Sequence, residues 1–302
     1  MKHPAISELR SLLRRLAPNW HPSRYKPIRS LVMGYVGLRR PEVMPVRYGF
    51  DLRIPKRDRS LMVLSLYLDG EYEPEESRWI LELLSPGDLV FDVGANVGYM
   101  TCLMAQAVAG GEDGQVHAFE PEPANFELLR QNIASNHLTG VLARRMALSS
   151  RTGKESIYLA RENLGDHTLV KLPGRRSIPI EAVSFDDYYA AHCAGRQVRL
   201  VKIDVQGYEL EVLKGMQRSL RAGLIDALLL EFWPARLKRS GTSSSELPAL
   251  LETMPYDATI LSDTGGGAYE SPEAIRAACD AVERNPHLSF NIVLKRRDSS
   301  AT

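Results

Sequence analysis

The feature that most constrains the fold is a regular alternation of short apolar runs and helical patterns from residue 89 onward. The predicted strands are Leu89–Val93, Val116–Phe119, Val141–Ala147, Leu200–Ile203, Ala227–Phe232, Thr259–Leu261 and Phe290–Leu294. The predicted helices are Val97–Val108, Pro123–Asn136, Tyr208–Met216 and Ser244–Thr253. This alternation is typical of βαβ units and predicts an α/β fold with a doubly wound, mostly parallel sheet. We expect the final strand, which follows a long excursion, to be an antiparallel edge strand.

Other parts of the chain add smaller elements to this sheet. A hairpin of Val43–Arg47 and Phe50–Ile54, and an inserted β segment of Ser156–Ala160 with Ile178–Val183, are predicted from their apolar runs. Helical patterns predict short helices over residues 5–16, Ser60–Leu68 and Glu75–Leu84.

Charge is distributed unevenly along a chain whose formal net charge is only +1. Residues 1–60 carry 14 Lys+Arg and 4 Asp+Glu, whereas the remaining residues carry 24 and 33. We therefore predict a basic N-terminal extension over residues 1–58, before a domain over residues 59–298. The extension is interpreted as a solvated arm, a lid or homo-oligomer contact, or a surface for an anionic partner. Aromatic residues among its arginines permit RNA contact but do not show it.

The cysteines and the hydropathy pattern indicate a cytoplasmic protein. The three cysteines are far apart and have no zinc-ligand spacing, which argues against a disulfide framework or a structural zinc. No run approaches the roughly 18 apolar residues that a membrane-spanning helix needs, and no signal-peptide pattern is recognised. We expect no integral membrane contact.

The strongest local motif is Asp92-Val93-Gly94-Ala95-Asn96-Val97-Gly98-Tyr99, between the first strand of the alternation and its helix. Gly94 allows a tight turn, and Gly98 allows the start of the helix to approach a ligand or the sheet. A helix N-terminus at the carboxyl end of a strand is where doubly wound folds bind ligands. The motif lacks both the G-x-G-x-x-G and the P-loop patterns. The alternative is that both glycines serve packing only.

Acidic residues end the next strands as well. Glu120, before Pro121, is placed to accept both hydroxyls of a ribose, and Asp204 ends a central strand before Gln206-Gly207. Each acid alone could simply favour the start of a helix through the helix dipole. Acids at successive strand ends instead favour a shared binding site.

Together these motifs resemble the class I S-adenosylmethionine-dependent methyltransferases, and within them the FkbM family. The motifs that carry the resemblance are Asp92–Tyr99, Phe119-Glu120-Pro121, Lys202–Gly215 and Gly70-Glu71-Tyr72-Glu73-Pro74. The resemblance covers residues 60–295 and implies a seven-stranded Rossmann-like methyltransferase sheet.

The resemblance also implies a cofactor site for S-adenosylmethionine, whose product is S-adenosylhomocysteine. Gly94, Ala95, Asn96 and Gly98 would surround the methionine end, and Asp92 would hold its amino group indirectly or through water. Glu120 would bind the ribose, Asn125 or the backbone near Ala147 the adenine, and Asp204 would lie near the transferable methyl. Glu73 and Pro121 complete the implied cofactor-binding residues. Carboxylates suit a sulfonium cation better than Lys or Arg does.

The residue that accepts the proton of a hydroxyl nucleophile is less clearly indicated. His167 is the preferred general base because it lies in a polar, glycine-containing loop and titrates in the useful range. Asp204 and Glu209 are the alternatives, and a plain surface histidine is the non-catalytic interpretation. Asp204 and Glu231 could help to hold Mg²⁺, but a metal-free reaction is favoured.

The sequence therefore predicts an enzyme that methylates a hydroxyl of a small molecule, such as a natural product or a sugar. An N-methyltransferase, or a protein or RNA methyltransferase that uses the basic extension, is the first alternative. Nucleic acid is the less favoured acceptor because Val205-Gln206-Gly207, not the Asn-Pro-Pro-Tyr signature, follows Asp204. A non-catalytic cofactor-binding module is the second alternative.

Overall fold

The computed structural model describes residues 34–160, 163–233, 246–261, 274–278 and 290–297. Its strands are β1 (Val43–Pro45), β2 (Asp51–Arg53), β3 (Leu89–Val93), β4 (Gln115–Phe119), β5 (Val141–Arg144), β6 (Ala147–Ser149), β7 (Gly153–Tyr158), β8 (Ser177–Ser184), β9 (Val198–Ile203), β10 (Ile225–Phe232), β11 (Tyr256–Leu261) and β12 (Phe290–Arg296). Its named helices are α1 (Leu61–Asp69), α2 (Pro74–Leu83), α3 (Tyr99–Val108), α4 (Pro123–Ser135), α5 (Phe185–His192), α6 (Glu209–Lys214), α7 (Gln217–Arg221) and α8 (Glu246–Glu252). The helix predicted at residues 5–16 lies outside the described residues.

The central sheet has seven strands in the order β11-β12-β10-β9-β3-β4-β5. Strands β10, β9, β3, β4 and β5 pair in parallel, whereas β12 is antiparallel to both β10 and β11. Every residue of β3 is buried, as expected for a strand covered on both faces. The mostly parallel sheet and its antiparallel final strand are confirmed. The expectation that the final strand lies at the edge of the sheet is wrong. Strand β12 lies between β11 and β10, and β11 is the edge strand.

A second sheet of three strands, in the order β6-β8-β7, forms the inserted β segment that the sequence predicts. The single strand predicted over Val141–Ala147 is wrong in its length. The chain leaves the central sheet after Arg144, which pairs with Phe119, and Ala147–Ser149 then pairs in parallel with Ala182–Ser184.

The helix bounds differ from the prediction where glycines make close contacts. Helix α3 begins at Tyr99 because Gly98 occupies the N-cap with φ 98°. The helix predicted over Tyr208–Met216 is shorter in the structure, because α6 ends at Lys214 before Gly215, and α7 begins beyond the predicted range at Gln217. A Cβ on Gly215 would lie 2.0 Å from the carbonyl oxygen of Ser149, so the chain must pass that point without a side chain.

Two apolar cores cover the two faces of the sheet. One core joins the sheet to α5, α6, α7 and α8, and the other joins it to α1, α2, α3 and the β1–β2 hairpin. Leu52 and Ile54 are fully buried in the second core. Asn132 of α4 also exchanges hydrogen bonds with the backbone of Arg53. The described part of the predicted N-terminal extension is therefore packed onto the domain rather than detached from it.

The described helices are short. The longest of those given bounds above, α4, has 13 residues. Within the described ranges, no helix combines the length and the apolar character that crossing a membrane requires.

Candidate functional site

A cavity lies at the carboxyl ends of β3, β4 and β9, where the strand-end motifs converge. Its lining residues come from the strand ends, from α4, from β7 and from the loop that follows β7. They are Gly94, Asn96, Glu120, Pro121, Asn125, Ile157, Leu164, Gly165, His167, Leu169, Asp204, Val205 and Gln206. The structure thus brings together seven of the residues that the sequence assigns to cofactor or catalysis. These lining residues include no Lys or Arg.

Gly94 forms the turn that opens the cavity. Its φ of 87° lies in the left-handed region, and its N–H and that of Ala95 donate to the carbonyl oxygen of Phe119. A Cβ on Gly94 would lie 1.9 Å from the carbonyl oxygen of Asp204. Only glycine fits here, because the turn after β3 and the end of β9 meet at backbone distance.

Ala95 and Gly98, which the sequence assigns to the cofactor, are packing residues in this structure. Ala95 is buried in a small cluster with Ala118 and Leu129. A Cβ on Gly98 would lie 2.7 Å from Cδ1 of Leu129 on α4. Neither residue lines the cavity. The contact of Gly98 with Leu129 agrees with the alternative interpretation that this glycine serves packing.

Glu120 is the buried acid of the cavity. Its Oε2 accepts from the Asn96 N–H and its Oε1 from the Glu122 N–H, each at 2.8 Å. Burial raises the pKa of Glu120 to about 8, although these two hydrogen bonds oppose the rise. In its ionised form each carboxylate oxygen keeps a further lone pair, so an ionised Glu120 can accept two hydroxyl groups of a ligand.

Two amide side chains present unused acceptors beside Glu120. Asn125 Nδ2 donates to the Leu164 carbonyl oxygen at 3.0 Å, but its buried Oδ1 has no partner in the described part of the chain. The same holds for Oδ1 of Asn96, a residue with the left-handed φ of 51°. Buried acceptors without partners are costly, and a ligand with N–H or O–H donors would satisfy them.

Asp204 lines the cavity as an ionised carboxylate. It accepts from Lys202 Nζ at 3.3 Å and from Gln206 Nε2 at 2.5 Å. Burial would raise the pKa of Asp204, but Lys202 and these hydrogen bonds together hold it below the ordinary value. The adjacent Gln206 has a φ of 58°, a conformation that costs energy and is common at functional sites.

Lys202 is the centre of a buried acidic cluster behind the cavity. It lies opposite Asp92 in the β3–β9 pairing, and burial alone would lower its pKa. The carboxylates of Asp204, Asp92, Glu73 and Glu231 instead raise it. Asp92 accepts from Thr101 Oγ1, while its Oδ1 has no partner among the described residues.

Asp92 and Glu73, which the resemblance assigns to the cofactor, lie behind the cavity and are not among its lining residues. Glu73 begins α2 with the left-handed φ of 46° and makes no side-chain cap. Burial raises its pKa to about 8. The two acids surround Lys202, which in turn orients Asp204.

His167 lines the cavity, but its hydrogen bonding opposes the predicted role as a base. Its Nδ1 accepts from the Ala160 N–H at 2.9 Å. Burial lowers the pKa of the imidazole, so the ring is neutral and carries its proton on Nε2. A base at Nε2 would need the opposite tautomer, so His167 is arranged to donate a hydrogen bond.

Two further predicted residues lie away from the cavity. Glu209 is buried at the start of α6, and its Oε1 accepts from the Gly207 N–H at 2.9 Å. Ala147 packs with Ile157 and Ile180 in the core of the small sheet. Pro121 lines the cavity as expected.

Sequence reasoning missed Leu164 and Gly165, which line the cavity, and it missed helix α5. Leu164 and Gly165 belong to a 3₁₀ turn, Leu164–Asp166, whose Asn163 side chain accepts from the Gly165 N–H. The Asn-x-Gly pattern was a usable signal for that turn. Helix α5 also had a signal, because Ser184 caps it and Asp186 and Asp187 follow.

Among the described residues, no group of three or more His, Cys, Asp or Glu side chains is arranged to hold a metal ion.

The seven-stranded, mostly parallel sheet with a cavity at its strand ends is a Rossmann-like arrangement. The family model for the methyltransferase FkbM domain matches residues 92–256, which is more than half of the chain. The chain belongs to the FkbM methyltransferase family, which confirms the resemblance drawn from its motifs.

Three proteins with sequences similar to this chain are named for methyl transfer. The hexuronic acid methyltransferase AglP of Haloferax volcanii is 32% identical over 151 residues, which cover 50% of this chain and 59% of that protein. The methyltransferase sdnD of Sordaria araneosa is 27% identical over 207 residues, a match that covers 58% of this chain and 76% of that protein. The 31-O-demethyl-FK506 methyltransferase FkbM of Streptomyces tacrolimicus is 49% identical over 57 residues, a match that covers 19% of this chain and 21% of that protein.

Solved structures are more distant. The crystal structure of methyltransferase FkbM from Methylobacillus flagellatus KT has 15% sequence identity and a TM-score of 0.41, covering 87% of this chain and 57% of that one.

Proposed function

We propose that this protein is an S-adenosylmethionine-dependent O-methyltransferase that methylates a hydroxyl group of a small-molecule acceptor. The observation that carries the proposal is the convergence of Glu120 and Asp204 in one cavity behind the Gly94 turn. Membership of the FkbM family supports methyl transfer.

The lining of the cavity fits the proposed cofactor. Glu120 would hold the ribose hydroxyls, and the free Oδ1 of Asn125 suits an exocyclic amine such as that of adenine. Gly94 and Asn96 would hold the methionine end, with Asp204 nearby. When bound, the cofactor supplies an electrophilic methyl group on a cationic sulfur. The ionised carboxylate of Asp204, in a lining without Lys or Arg, favours that charge.

The chain's own residues would orient the acceptor and receive its proton. His167 donates through Nε2–H and helps to position a ligand. Glu209 accepts from Gly207 outside the cavity, so Asp204 is the proposed acceptor of the hydroxyl proton. Lys202 keeps Asp204 ionised and in place.

The choice of acceptor rests on the names of relatives. One of them is named for hexuronic acid and another for 31-O-demethyl-FK506, which specifies an oxygen as the methylated atom. These names support a small, hydroxylated acceptor. We place the reaction in the cytoplasm, which suits the free, buried Cys102 and Cys193.

The proposal is tested by incubating the purified protein with methyl-labelled S-adenosylmethionine and a panel of acceptors. The panel contains hexuronic acids, neutral sugars, hydroxylated polyketides, amines and RNA. We expect label on a hydroxyl oxygen of one small-molecule class, located by NMR, and loss of transfer in Asp204→Asn. Transfer to nitrogen or RNA would replace the proposal with its first alternative. Cofactor binding without transfer to any acceptor would favour a non-catalytic module.

A further inference from the structure

A short segment, residues 163–167, covers one side of the cavity. Leu164, Gly165 and His167 all line the cavity, and the Leu164 side chain is buried. Asp166 forms an ion pair and a hydrogen bond with Arg175, which ties the outer side of the segment to the loop before β8. We call residues 163–167 the cover.

The peptide groups of Leu164 are held from two distant parts of the chain. The Leu164 carbonyl oxygen accepts from Asn125 Nδ2 on α4 at 3.0 Å. The Leu164 N–H donates to Asp58 Oδ1 at 3.4 Å, across a sequence separation of 106 residues. Asp58 belongs to the segment that the sequence assigns to the N-terminal extension.

Asp58 is itself rigidly supported. It is 1% exposed, and its two carboxylate oxygens accept from the N–H and the hydroxyl of Ser60, at 3.0 and 3.1 Å. Ser60 caps α1. Burial raises the pKa of Asp58, and the hydrogen bonds from Ser60 and Leu164 and the charge of Arg40 oppose that rise. The cover is therefore attached to the start of α1 through one carboxylate.

The space beneath the cover is small. The cavity encloses about 60 Å³, whereas pockets that hold small molecules measure roughly 300 Å³ or more. This is less room than a nucleoside-sized ligand needs, and outward movement of the cover would enlarge the cavity. The hydrogen bonds that hold Leu164 therefore influence how readily the cavity opens.

We infer that Asp58 is a positioning residue that acts through Leu164 and limits how fast ligands enter and leave the cofactor cavity. The inference rests on the proposed function, because it takes the cavity as the S-adenosylmethionine site. It gives the N-terminal segment a role at the site that requires neither nucleic acid nor oligomer formation. Loss of the Asp58–Leu164 hydrogen bond would let the cover open more often.

The test uses the full chain with S-adenosylhomocysteine as the probe. Stopped-flow measurements give its association and dissociation rate constants, and hydrogen exchange reports the amides of residues 163–167. In Asp58→Ala we expect both rate constants to rise about tenfold, since one hydrogen bond to a charged group is lost. Kd should change less than threefold, and the cover amides should exchange faster. Asp58→Asn keeps the acceptor for Leu164 and should restore wild-type rates.

The matched control is Asp186→Ala. Asp186 is also buried and also accepts from the N–H and hydroxyl of a serine, Ser219, but it lies on α5 away from the cover. This variant should lose stability without altering either rate constant. Unchanged rates and unchanged exchange in Asp58→Ala would overturn the inference. So would a rise in dissociation alone, which indicates a lost contact with bound ligand. If the wild type fails to bind the probe, the proposed function fails, and the exchange data alone decide whether Asp58 holds the cover.

Discussion

The backbone of Gly94 approaches the carbonyl oxygen of Asp204 so closely that a Cβ on Gly94 would lie 1.9 Å from that oxygen. This contact joins the turn after β3 to the end of β9 and brings two motifs, more than a hundred residues apart in sequence, into one cavity. The binding site thus depends on a glycine for its geometry.

Gly94→Ala should be strongly destabilising. Gly110 provides the control, since its φ of 90° is equally unfavourable for alanine but nothing lies within 4 Å of its Cβ position. We expect Gly110→Ala to lower the free energy of unfolding by about 1–2 kcal/mol. Gly94→Ala should lower it by about 2–3 kcal/mol more, because the added methyl clashes with backbone. Urea denaturation measures both, and equal losses would show that the close contact is unimportant.

Variants of His167 separate a donor from a base. Glutamine places an N–H donor near the position of Nε2, whereas alanine removes it. We expect His167→Gln to bind S-adenosylhomocysteine within about threefold of wild type, and His167→Ala to bind about tenfold more weakly. Calorimetry at pH 8 measures both affinities. Loss of turnover in His167→Gln with unchanged affinity would restore the base role.

Lys202→Met should leave the surrounding acids without their cation. At pH 8 we expect the free energy of unfolding to fall by about 3–5 kcal/mol, as when one partner of a buried ion pair is removed. The loss should be smaller at pH 5, where Glu73 and Asp92 can take up protons. Lys154→Met, at an exposed position of β7, is the control and should have little effect at either pH. A pH-independent loss in Lys202→Met would contradict the charge argument.

Glu120 should make the ligand-free protein less stable as pH rises. Its pKa is about 8 in the folded protein against an ordinary value of 4.5. Between these values the folded state holds a proton that the unfolded state has released, so the free energy of unfolding decreases with pH. Relative to Glu120→Gln, the wild type should lose on the order of 3 kcal/mol between pH 5 and pH 8. Parallel stability curves from urea denaturation would contradict the burial of an ionisable Glu120.

Periodicity and turn residues predicted most of the fold, because a parallel sheet covered on both faces requires continuous apolar strands. The same reasoning predicted a shared site at the strand ends, and Glu120 and Asp204 both line the cavity there. It could not separate Asp92 from them, since a residue at a strand end can point into the cavity or, as Asp92 does, toward Lys202. It also could not find the contact between Asp58 and Leu164, because a hydrogen bond across 106 residues leaves no local pattern.

The central claim is that the cavity binds S-adenosylmethionine through Glu120, and calorimetric titration with S-adenosylhomocysteine tests it most directly. Glu127 lies two residues after Asn125 on α4 but does not line the cavity; it is exposed and pairs with Arg130, so Glu127→Gln is a matched control. We expect the wild type and Glu127→Gln to bind one equivalent with the same Kd, and Glu120→Gln to bind at least tenfold more weakly. No binding to the wild type, or equal Kd values in all three proteins, would contradict the account.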